Sequence, residues 1–512
     1  MKTNQKNWHF FVKIQGNFSA KYKKYKVFYV FLTNKVRSDD MSTPNTHLGA
    51  AAISRIMSEA EGKNIHFVGA GGIMMSSLAL LTLKLGYCVT GSDRGDGALI
   101  QKLRDAGIEI SHIHDAKNIR EDCAALVYTV AISEDNPEYV RARELGISCI
   151  SRADYLGYIM TGYSQRVGIA GMHGKSSCTS MCAEIFLRYG ERTGNRPTII
   201  SGAEYAAMDG AYYIGDKENF VFEACEYMDS FLDFNPTVAV LLNADLEHVD
   251  YFKSIEQIIE SFGKYASLTG KDGYAIACAD DKNIMKAVEG YEGTLVTFGL
   301  DTNADFTAKN ITHFCEVQEF DVYKNGEFLI HVCLPAFGKH NILNALAAFA
   351  SAYICGIPAE DIAAGLSTYT GAKRRMECRG ELCGACVYDD YGHHPAEIKA
   401  TLSGAREFCR GRLICAFQPH TYSRTLALID DFESAFESAD LVILADIYAA
   451  REKNTENVSS KMIADRLGDK GIYAGDFDTV ANLIKSNVKE DDMVIVMGAG
   501  DIYKVFDKLD LE

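Results

Sequence analysis

A glycine-rich turn that carries a lysine and a serine is the strongest chemical signal in the sequence. After a short apolar run, the turn contains, in order, Gly171, Gly174, Lys175 and Ser176. Glycines let the backbone N–H groups surround phosphate oxygens, and a following helix N-terminus adds partial positive charge. Lys175 adds a point charge, and the Ser176 hydroxyl offers a ligand to Mg²⁺. A strict P-loop has glycine where this chain has Ile169. We therefore interpret the turn as a shortened phosphate-binding loop rather than a structural turn with a chance Lys-Ser pair.

Two side chains downstream of this turn are candidate metal ligands. Glu223 ends the apolar run 220–222, and His248 lies in the polar segment 243–250. A carboxylate at a strand end, beside a phosphate loop, can hold Mg²⁺ as a hard oxygen ligand. Histidine is an unusual ligand for Mg²⁺, so His248 taken alone is more typical of a surface or capping residue than of a metal ligand.

A second glycine turn lies near the N-terminus. Gly69, Gly71 and Gly72 follow a short β-branched run, and Asp93 lies 24 residues after Gly69. The spacing resembles the dinucleotide fingerprint, in which an acid contacts a ribose, but Met74 replaces its third glycine. NAD binding does not follow from so degenerate a pattern. The turn still predicts a backbone that a pyrophosphate can approach closely.

The last third of the chain contains two histidine-bearing loops. His393 and His394 follow the predicted strand 386–389, and His420 and Arg424 follow the predicted strand 413–417. Loops at the carboxyl ends of parallel strands are where α/β sheets place their sites. No third and fourth ligand stand at zinc spacing. Arg375, at the end of a basic triplet, is either solvated or reaches phosphate across a domain cleft.

Strand, turn and helix signals alternate along the chain, which predicts α/β architecture. We expect three domains: an N-terminal Rossmann-like domain, a central P-loop-type ATPase domain with a mostly parallel sheet, and a C-terminal Rossmann-like α/β domain. The expected boundaries are a basic, disordered leader at 1–55, then domains at 56–161, 162–370 and 371–512. Residues 1–40 carry nine Lys/Arg against two Asp. They are a disordered leader, sequence upstream of a start at Met41, or an arm that binds polyanions.

Composition narrows the class of protein. The chain has 512 residues, 47% of them apolar and 24% charged, and a formal net charge of −17. An acidic chain argues against nucleic-acid binding, because phosphate neutralisation needs a basic face. No apolar run reaches the roughly 18 residues of a membrane helix. Fifteen scattered cysteines suit free thiols in a reducing cytoplasm. We expect a cytoplasmic protein without nucleic-acid partners or membrane insertion.

These pieces occur together, and in this order, in the Mur ligases of peptidoglycan synthesis, a family that the sequence resembles over about residues 62–505. The resemblance rests on these segments: 66–72, 171–177, 223–227, 248–252, 338–346, 373–377, 389–395, 417–425 and 497–501. Segments 390–395 and 417–420 resemble the L-alanine-adding members rather than those that recycle murein tripeptide.

The resemblance implies an ATP-dependent acid–amino-acid ligase of cell wall biogenesis. ATP would phosphorylate the lactyl carboxylate of UDP-N-acetylmuramate, and the amine of L-alanine would attack the resulting acyl phosphate. The enzyme would be a monomer or a homodimer that uses ATP and Mg²⁺. Because the implied ligands come from three domains, domain closure should assemble the site and exclude water.

The resemblance also implies a role for individual residues. The implied catalytic residues are Lys175, Glu223, His248, Arg375 and His394. The implied ATP contacts are Gly171, Met172, His173, Gly174, Lys175, Ser176, Ser177, His340, Asn341, Asn344, Arg375 and Asp390. The implied UDP-sugar contacts are Gly69, Gly71, Gly72, Ser92 and Asp93. The implied amino-acid contacts are His393, His420 and Arg424. The implied Mg²⁺ ligands are Ser176, Glu223 and His248.

Several positions depart from the family pattern, and other functions stay open. Met74 and Ser77 stand where many members have glycine, and Glu247 replaces the familiar aspartate before His248. The alternatives are a related ligase that adds another amino acid or recycles murein peptide, and a non-catalytic UDP-sugar and ATP sensor. A nicotinamide oxidoreductase built on residues 69–93 would leave the lysine turn and both histidine loops without a function.

Overall fold

The computed structural model describes residues 48–129, 132–208, 210–248, 251–314, 317–450 and 452–512. Most of the expected basic leader, residues 1–47, therefore lies outside the described residues. The expected leader ends at residue 55, whereas helix α1 spans Ala50–Ser58 and buries Ile53 and Met57. The folded part of the chain thus begins before that boundary, because these two side chains supply apolar surface to the first core.

The N-terminal sheet has five parallel strands in the order β3-β2-β1-β4-β5. The order reverses between β1 and β4, so the turn after β1 opens into the crevice where such sheets bind ligands. The strands are β1 Asn64–Val68, β2 Cys88–Ser92, β3 Glu109–Ser111, β4 Cys123–Tyr128 and β5 Ser148–Ser151. The helices after α1 are α2 Ile73–Lys84, α3 Ala98–Asp105, α4 Pro137–Glu144 and α5 Arg152–Met160.

The central sheet has ten strands in the order β15-β14-β13-β12-β11-β10-β6-β9-β7-β8. Its strands are β6 Gln165–Ala170, β7 Thr198–Tyr205, β8 Gly210–Tyr213, β9 Asn219–Glu223, β10 Val238–Leu241, β11 Tyr274–Cys278, β12 Thr294–Gly299, β13 Phe306–Phe314, β14 Val317–Lys324 and β15 Glu327–Leu334. Its helices are α6 Lys175–Thr193, α7 Ile255–Ser267, α8 Lys282–Ala287, α9 Lys339–Ile354 and α10 Ala359–Leu366. The phosphate loop leaves β6 between two parallel neighbours, β9 and β10. The strands β13 to β15 form an antiparallel extension that the sequence analysis did not predict.

The C-terminal sheet has six strands in the order β16-β17-β21-β18-β19-β20, antiparallel only between β16 and β17. Its strands are β16 Glu377–Leu382, β17 Ala385–Asp390, β18 Leu413–Phe417, β19 Leu441–Ala445, β20 Gly471–Gly475 and β21 Met493–Met497. Its helices are α11 Pro395–Phe408, α12 Tyr422–Ala427, α13 Asp431–Ala435, α14 Lys461–Leu467 and α15 Phe477–Asn487. The strands β17 and β18 both run parallel to β21. The two histidine-bearing loops, which follow β17 and β18, therefore leave the sheet at the same, carboxyl, end of its strands.

Three α/β sheets in sequence order confirm the predicted fold class. Short 3₁₀ segments complete the described structure, at Ala116–Asn118, Ala206–Met208, Tyr227–Asp233, Gly468–Lys470 and Ile502–Lys508. The central strands β18, β19 and β21 are buried along their whole length. Continuous apolar runs are typical of parallel strands covered on both faces. Across the described ranges, no helix combines the length and apolar character needed to span a bilayer.

Candidate functional site

The phosphate loop, residues 171–174, is built around a glycine that no other residue can replace without rearrangement. Gly174 caps α6 with φ of +82°, a conformation that favours glycine. A Cβ placed on Gly174 would lie 2.6 Å from Oδ1 of Asn344 on α9. The amide of His173 donates to Oδ1 of Asn243, at 2.8 Å. The loop is therefore held from two sides, by the end of β10 and by the start of α9.

Lys175 turns its ammonium group back into this loop. Its Nζ donates to the carbonyl oxygens of Gly171 and Met172, at 2.5 and 3.1 Å. It also lies 3.0 Å from Oε2 and 3.1 Å from Oε1 of Glu226. Burial opposes the lysine charge, but the carboxylates of Glu226 and Glu223 outweigh burial and raise the pKa of Lys175. The cation is thus fixed at the loop before any phosphate arrives.

The predicted metal ligands divide between two groups. The Ser176 hydroxyl donates to Oε2 of Glu223, at 3.0 Å, and the Gly202 amide donates to the same oxygen, at 2.9 Å. Nε2 of His248 instead lies 3.2 Å from Oε1 of Glu226. The structure therefore brings Ser176 and Glu223 together. It places His248 beside Glu226, the carboxylate that also pairs with Lys175. Paired hydroxyl and carboxylate oxygens suit a hard divalent cation.

A cavity of about 450 Å³ opens beside the phosphate loop, between the central and C-terminal domains. Eight of the predicted ATP contacts line it: His173, Gly174, Ser177, His340, Asn341, Asn344, Arg375 and Asp390. Met172, another predicted contact, is buried and packs in the apolar core. Its carbonyl oxygen, not its side chain, faces Lys175.

Titratable groups in this cavity are shifted by burial. Burial raises the pKa of Asp390 to about 6, although Arg375 opposes the shift. The Asp390 carboxylate also accepts the amides of Gly392 and Met376, at 2.8 and 3.0 Å. Burial, together with Arg375, lowers the pKa of His340 to about 4. At neutral pH the cavity therefore offers a neutral imidazole and an ionised carboxylate that is easily protonated.

A second cavity, of about 470 Å³, lies between loops of the central and C-terminal domains. The predicted residues that line it are His248, His394, His420 and Arg424, and they are joined by Glu247 and Tyr227. Nη2 of Arg424 lies 3.3 Å from Oε1 of Glu247, and Nε2 of His393 lies 3.8 Å from the same oxygen. Glu247 therefore connects the central domain to both histidine loops.

Glu397 is a second carboxylate that joins the two domains, and sequence reasoning missed its role. Its Oε1 lies 3.3 Å from Nδ1 of His173 and 3.7 Å from Nη1 of Arg375. Burial would raise the pKa of Glu397, but hydrogen bonding to His173 and the charge of neighbouring cations lower it well below its usual value. The available signal was the spacing of Glu397, three residues after His394 and two after Pro395, which is a capping pattern.

His394 has a structural task as well as a place in the second cavity. It caps α11, because its Nδ1 accepts the amide of Ala396 at 3.3 Å, while Glu397 accepts the amide of His394. Burial, with His173 close by, lowers the pKa of His394 to about 4. The neutral ring therefore directs its other nitrogen, Nε2, away from the helix.

The N-terminal glycine turn, residues 69–72, is occupied by a carboxylate. Oδ2 of Asp93 accepts the amide of Gly71 at 2.8 Å, and its Oδ1 accepts the amide of Gly95. A Cβ on Gly71 would lie 2.9 Å from this carboxylate. Met74 packs against the apolar core. The predicted contacts Gly69, Gly71, Gly72 and Asp93 thus lie together at the crevice of the first sheet.

Ser92 differs from the prediction, because its side chain enters a buried network instead of the turn. Its hydroxyl donates to Oε2 of Glu138 at 2.6 Å. The same carboxylate oxygen lies 2.9 Å from Nδ1 of His114. Burial opposes ionisation of Glu138, but hydrogen bonds from His66 and Ser92 outweigh it and lower the pKa of Glu138 to about 2. Only the Ser92 carbonyl reaches the turn, where it accepts the Gly69 amide.

Family models cover most of the described chain. A model described as "Mur ligase family, catalytic domain" matches residues 64–164, one described as "Mur ligase middle domain" matches residues 169–352, and one described as "Mur ligase, glutamate ligase domain" matches residues 374–500. The matched ranges follow the three sheets in order.

Full-length relatives are also similar. The UDP-N-acetylmuramate–L-alanine ligase of Caldanaerobacter subterraneus is 45% identical over 450 residues, which are 87% of this chain and 97% of the relative. The corresponding ligase of Clostridium novyi is 44% identical over 446 residues, 86% of this chain and 96% of the relative. The crystal structure of the UDP-N-acetylmuramate–alanine ligase from Thermotoga maritima is similar with a TM-score of 0.72 and 27% identity, over 87% of this chain and 98% of that one. A murein peptide ligase from Psychrobacter arcticus shares the fold, with a TM-score of 0.63 and 23% identity over 88% of this chain and 98% of that one.

Proposed function

The chain belongs to the Mur ligase family, and we propose that it joins L-alanine to the lactyl carboxylate of UDP-N-acetylmuramate with hydrolysis of ATP to ADP and phosphate. The observation that carries this proposal is that two cavities adjoin each other: Nδ1 of His173, which lines the first, lies 3.9 Å from Oε2 of Glu247, which lines the second. The first adjoins the lysine-bearing loop, and the second contains Arg424 and His248. The relatives with 44–45% identity bear the name of this activity.

ATP is proposed to occupy the first cavity with its phosphates on the loop. The amides of the first turn of α6 have no partner within the helix, so they are available to phosphate oxygens. Lys175 would exchange its carbonyl acceptors for the phosphates. Asn344 and His340, at the start of α9, would flank the base, and Asp390 would accept ribose hydroxyls.

Mg²⁺ is proposed to bind with the nucleotide, held by Ser176, Glu223 and His248. The residues present fit the ion, because the Ser176 and Glu223 oxygens already lie 3.0 Å apart and hard oxygen donors are what Mg²⁺ prefers. His248 is placed on Glu226 in this structure and would contribute from the second cavity. When bound, the ion would neutralise charge on the phosphate oxygens.

The chemistry is proposed to run through an acyl phosphate. A lactyl carboxylate oxygen bonds to the γ-phosphorus while the bond to the β,γ-bridging oxygen breaks and ADP leaves. The neutral amine of alanine then adds to the acyl carbon, one amine proton is lost to solvent, and phosphate leaves as the amide forms. Lys175 and Arg375 would stabilise the charge on the transferring phosphoryl group, a task that depends on positioned charge more than on covalent help.

The other two substrates, UDP-N-acetylmuramate and L-alanine, are proposed to enter from either side of the nucleotide. Arg424 would exchange Glu247 for the alanine carboxylate, with His393 and His420 beside it, because a guanidinium binds a carboxylate in a bidentate way. The turn at 69–72 would hold the UDP diphosphate. All of these groups come from one chain, so the proposal holds for a monomer or a homodimer. A cytoplasmic location is proposed from ATP and a UDP-sugar as substrates.

Phosphate release tests this function directly. The full chain is incubated with ATP, Mg²⁺, UDP-N-acetylmuramate and L-alanine, and phosphate and product mass are measured while each component is omitted in turn. Phosphate release that requires both UDP-N-acetylmuramate and L-alanine, with a product heavier than UDP-N-acetylmuramate by one alanine residue, supports the proposal. Nucleotide binding without turnover would identify a sensor. Faster turnover with murein tripeptide than with alanine would identify a recycling ligase, and either result contradicts the proposal.

A further inference from the structure

One face of the antiparallel extension gathers four side chains that the proposed reaction does not use. In the β14–β15 pair, Glu319 lies directly opposite Cys333, and Asp321 lies opposite His331. Side chains alternate between the faces of a strand, so these four share one face. The opposite face carries the buried Phe320 and packs into the core. The register of the two strands therefore holds the four groups in place.

Three of these side chains bring ligand atoms of different chemistry to one point. Oε2 of Glu319 lies 3.9 Å from Nε2 of His331, and Oε1 of Glu319 lies 3.8 Å from Sγ of Cys333. One oxygen, one nitrogen and one sulfur atom all lie within 4.8 Å of one another. The histidine side chain is 51% exposed, so the point is open to solvent.

We propose that Glu319, His331 and Cys333 form a binding site for a divalent transition-metal ion of the zinc type. A carboxylate, an imidazole and a thiolate are the three ligand classes that Zn²⁺ takes, and a water would complete four-coordination. Thiolate and imidazole disfavour Mg²⁺, which prefers oxygen ligands. Coordination forms a sulfur–metal bond in place of the S–H bond of Cys333 and releases that proton to solvent.

Asp321 supports this assignment, because it orients the histidine. Its Oδ1 lies 2.9 Å from Nδ1 of His331, and its Oδ2 accepts Nδ2 of Asn310 at 2.8 Å. A carboxylate on one ring nitrogen keeps the proton there and leaves the other nitrogen free to bind metal. The nitrogen left free is Nε2, the one that faces Glu319 and Cys333.

The site is separate from the nucleotide site. Four strands, β13, β12, β11 and β10, lie between β14 and the strand β6 that carries the phosphate loop. At about 4.8 Å per strand, β14 and β6 are roughly 24 Å apart. A metal bound at the β14–β15 face would therefore be distinguishable from Mg²⁺ bound with ATP.

Cobalt is the probe that tests the proposal, because thiolate-to-Co²⁺ charge transfer absorbs in the near ultraviolet. Reduced, metal-free full-length protein is titrated with Co²⁺ in excess Mg²⁺, which occupies oxygen-rich sites. We expect a charge-transfer band that saturates at one Co²⁺ per chain and disappears when Zn²⁺ is added. Cys333→Ser should abolish the band, and Cys88→Ser, at an exposed cysteine away from the site, should leave it unchanged.

A variant that leaves the three ligands in place tests the geometry. Asp321→Asn should weaken Co²⁺ binding about tenfold, the usual effect of losing the partner of a metal-bound histidine, with the band otherwise intact. Absence of a band in the unmodified protein, or its persistence in Cys333→Ser, would overturn the site. Equal affinity in Asp321→Asn would overturn the role given to Asp321.

Discussion

The two glycine turns of this chain share the same strand–turn–helix arrangement, but the side chains that contact them carry opposite charges. Each follows a parallel strand with parallel neighbours on both sides, β1 or β6, and each leads into a helix. In the first turn a carboxylate from the next strand, that of Asp93, accepts the Gly71 amide. In the second turn an ammonium from the following helix, that of Lys175, donates to the Gly171 carbonyl.

The difference shows that glycine spacing determines a turn but not the charge of its ligand. The Asp93 carboxylate accepts a backbone amide that an anionic ligand could otherwise contact. Lys175 instead adds a positive charge beside the free amides at the start of α6, where an anion would bind. The second turn is therefore suited to a highly charged triphosphate. The first is suited to a diphosphate held mainly by close backbone approach. Five variants test this contrast.

The largest effect is expected from Lys175→Ala. Turnover should fall by at least about 100-fold, because a positioned charge on a transferring phosphoryl group contributes several kcal/mol. Phosphate release at saturating substrates measures it. The matched control is Lys271→Ala, whose side chain is 78% exposed and should leave turnover unchanged. A folded Lys175→Ala protein with more than a tenth of normal turnover would contradict the proposed role of Lys175 in phosphoryl transfer.

Glu226→Gln tests how the cation is held in the absence of nucleotide. The Glu226 side chain is 1% exposed, so its loss removes the nearer of the two carboxylates that balance a buried ammonium and should lower the free energy of unfolding by about 2 kcal/mol. A nonhydrolysable ATP analogue with Mg²⁺ should then raise the melting temperature of the variant more than that of the unmodified protein. Glu292→Gln, at an exposed pair with Lys271, is the control. Equal shifts in both proteins would mean that phosphate does not replace Glu226 on the lysine.

Arg424→Ala separates the amino-acid site from both turns. Loss of a charged hydrogen-bonding partner should raise the KM for alanine about 20-fold, with the KM for ATP nearly unchanged. Steady-state kinetics with each substrate varied in turn provide the measurement. The exposed Arg466→Ala serves as a control. A parallel rise in both KM values would assign Arg424 to domain closure instead.

Asp93→Asn tests the first turn, and the sign of its effect is informative. If the carboxylate positions the turn, the KM for UDP-N-acetylmuramate should rise about tenfold, through a weakened charged hydrogen bond. If it only repels the diphosphate, that KM should fall. The KM for ATP should not change in either case. Asp96→Asn, at a side chain that is 69% exposed, is the matched control.

The smallest effect expected is a pH dependence of nucleoside binding. Because the pKa of Asp390 is raised to about 6, its carboxylate becomes protonated as the pH falls through that value and loses a charge-assisted hydrogen bond to ribose. Adenosine, which does not titrate there, should bind about threefold more weakly at pH 5 than at pH 7.5. Calorimetry measures the affinity. Asp390→Asn should bind equally at both pH values, and a persistent pH dependence would point to another group.

How far the sequence predicted the fold depended on the burial of each strand. The strand β18 has the predicted bounds, 413–417, because a strand buried on both faces reads as a continuous apolar run. The three-residue strand β3 and the antiparallel extension were not predicted. Strands of the extension alternate polar and apolar residues, and nothing in the motifs pointed to them.

The candidate site was predicted unevenly for a related reason. Lys175 was found because it stands in a recognisable glycine turn, and Glu223 because it ends an apolar run. The role of His248 came from the family resemblance. Glu226 and Glu397 were missed as parts of the site, since a carboxylate carries no signal until its cation is near. The family resemblance implied a UDP-sugar contact for Ser92, the last residue of β2, whereas its hydroxyl is bonded to Glu138, 46 residues away.

The order of residues along the chain was by itself enough to determine the family, the α/β fold class and the turn that we propose receives phosphate. These features are local, because a turn and a helix start depend on a few consecutive residues. The tertiary structure alone decided which charges meet. Glu226 on Lys175, Glu247 on Arg424 and Glu397 on His173 are contacts across 51, 177 and 224 positions. Electrostatic pairing depends on distance in space, and that distance is set only when the strand order and the packing of the domains bring the charges together.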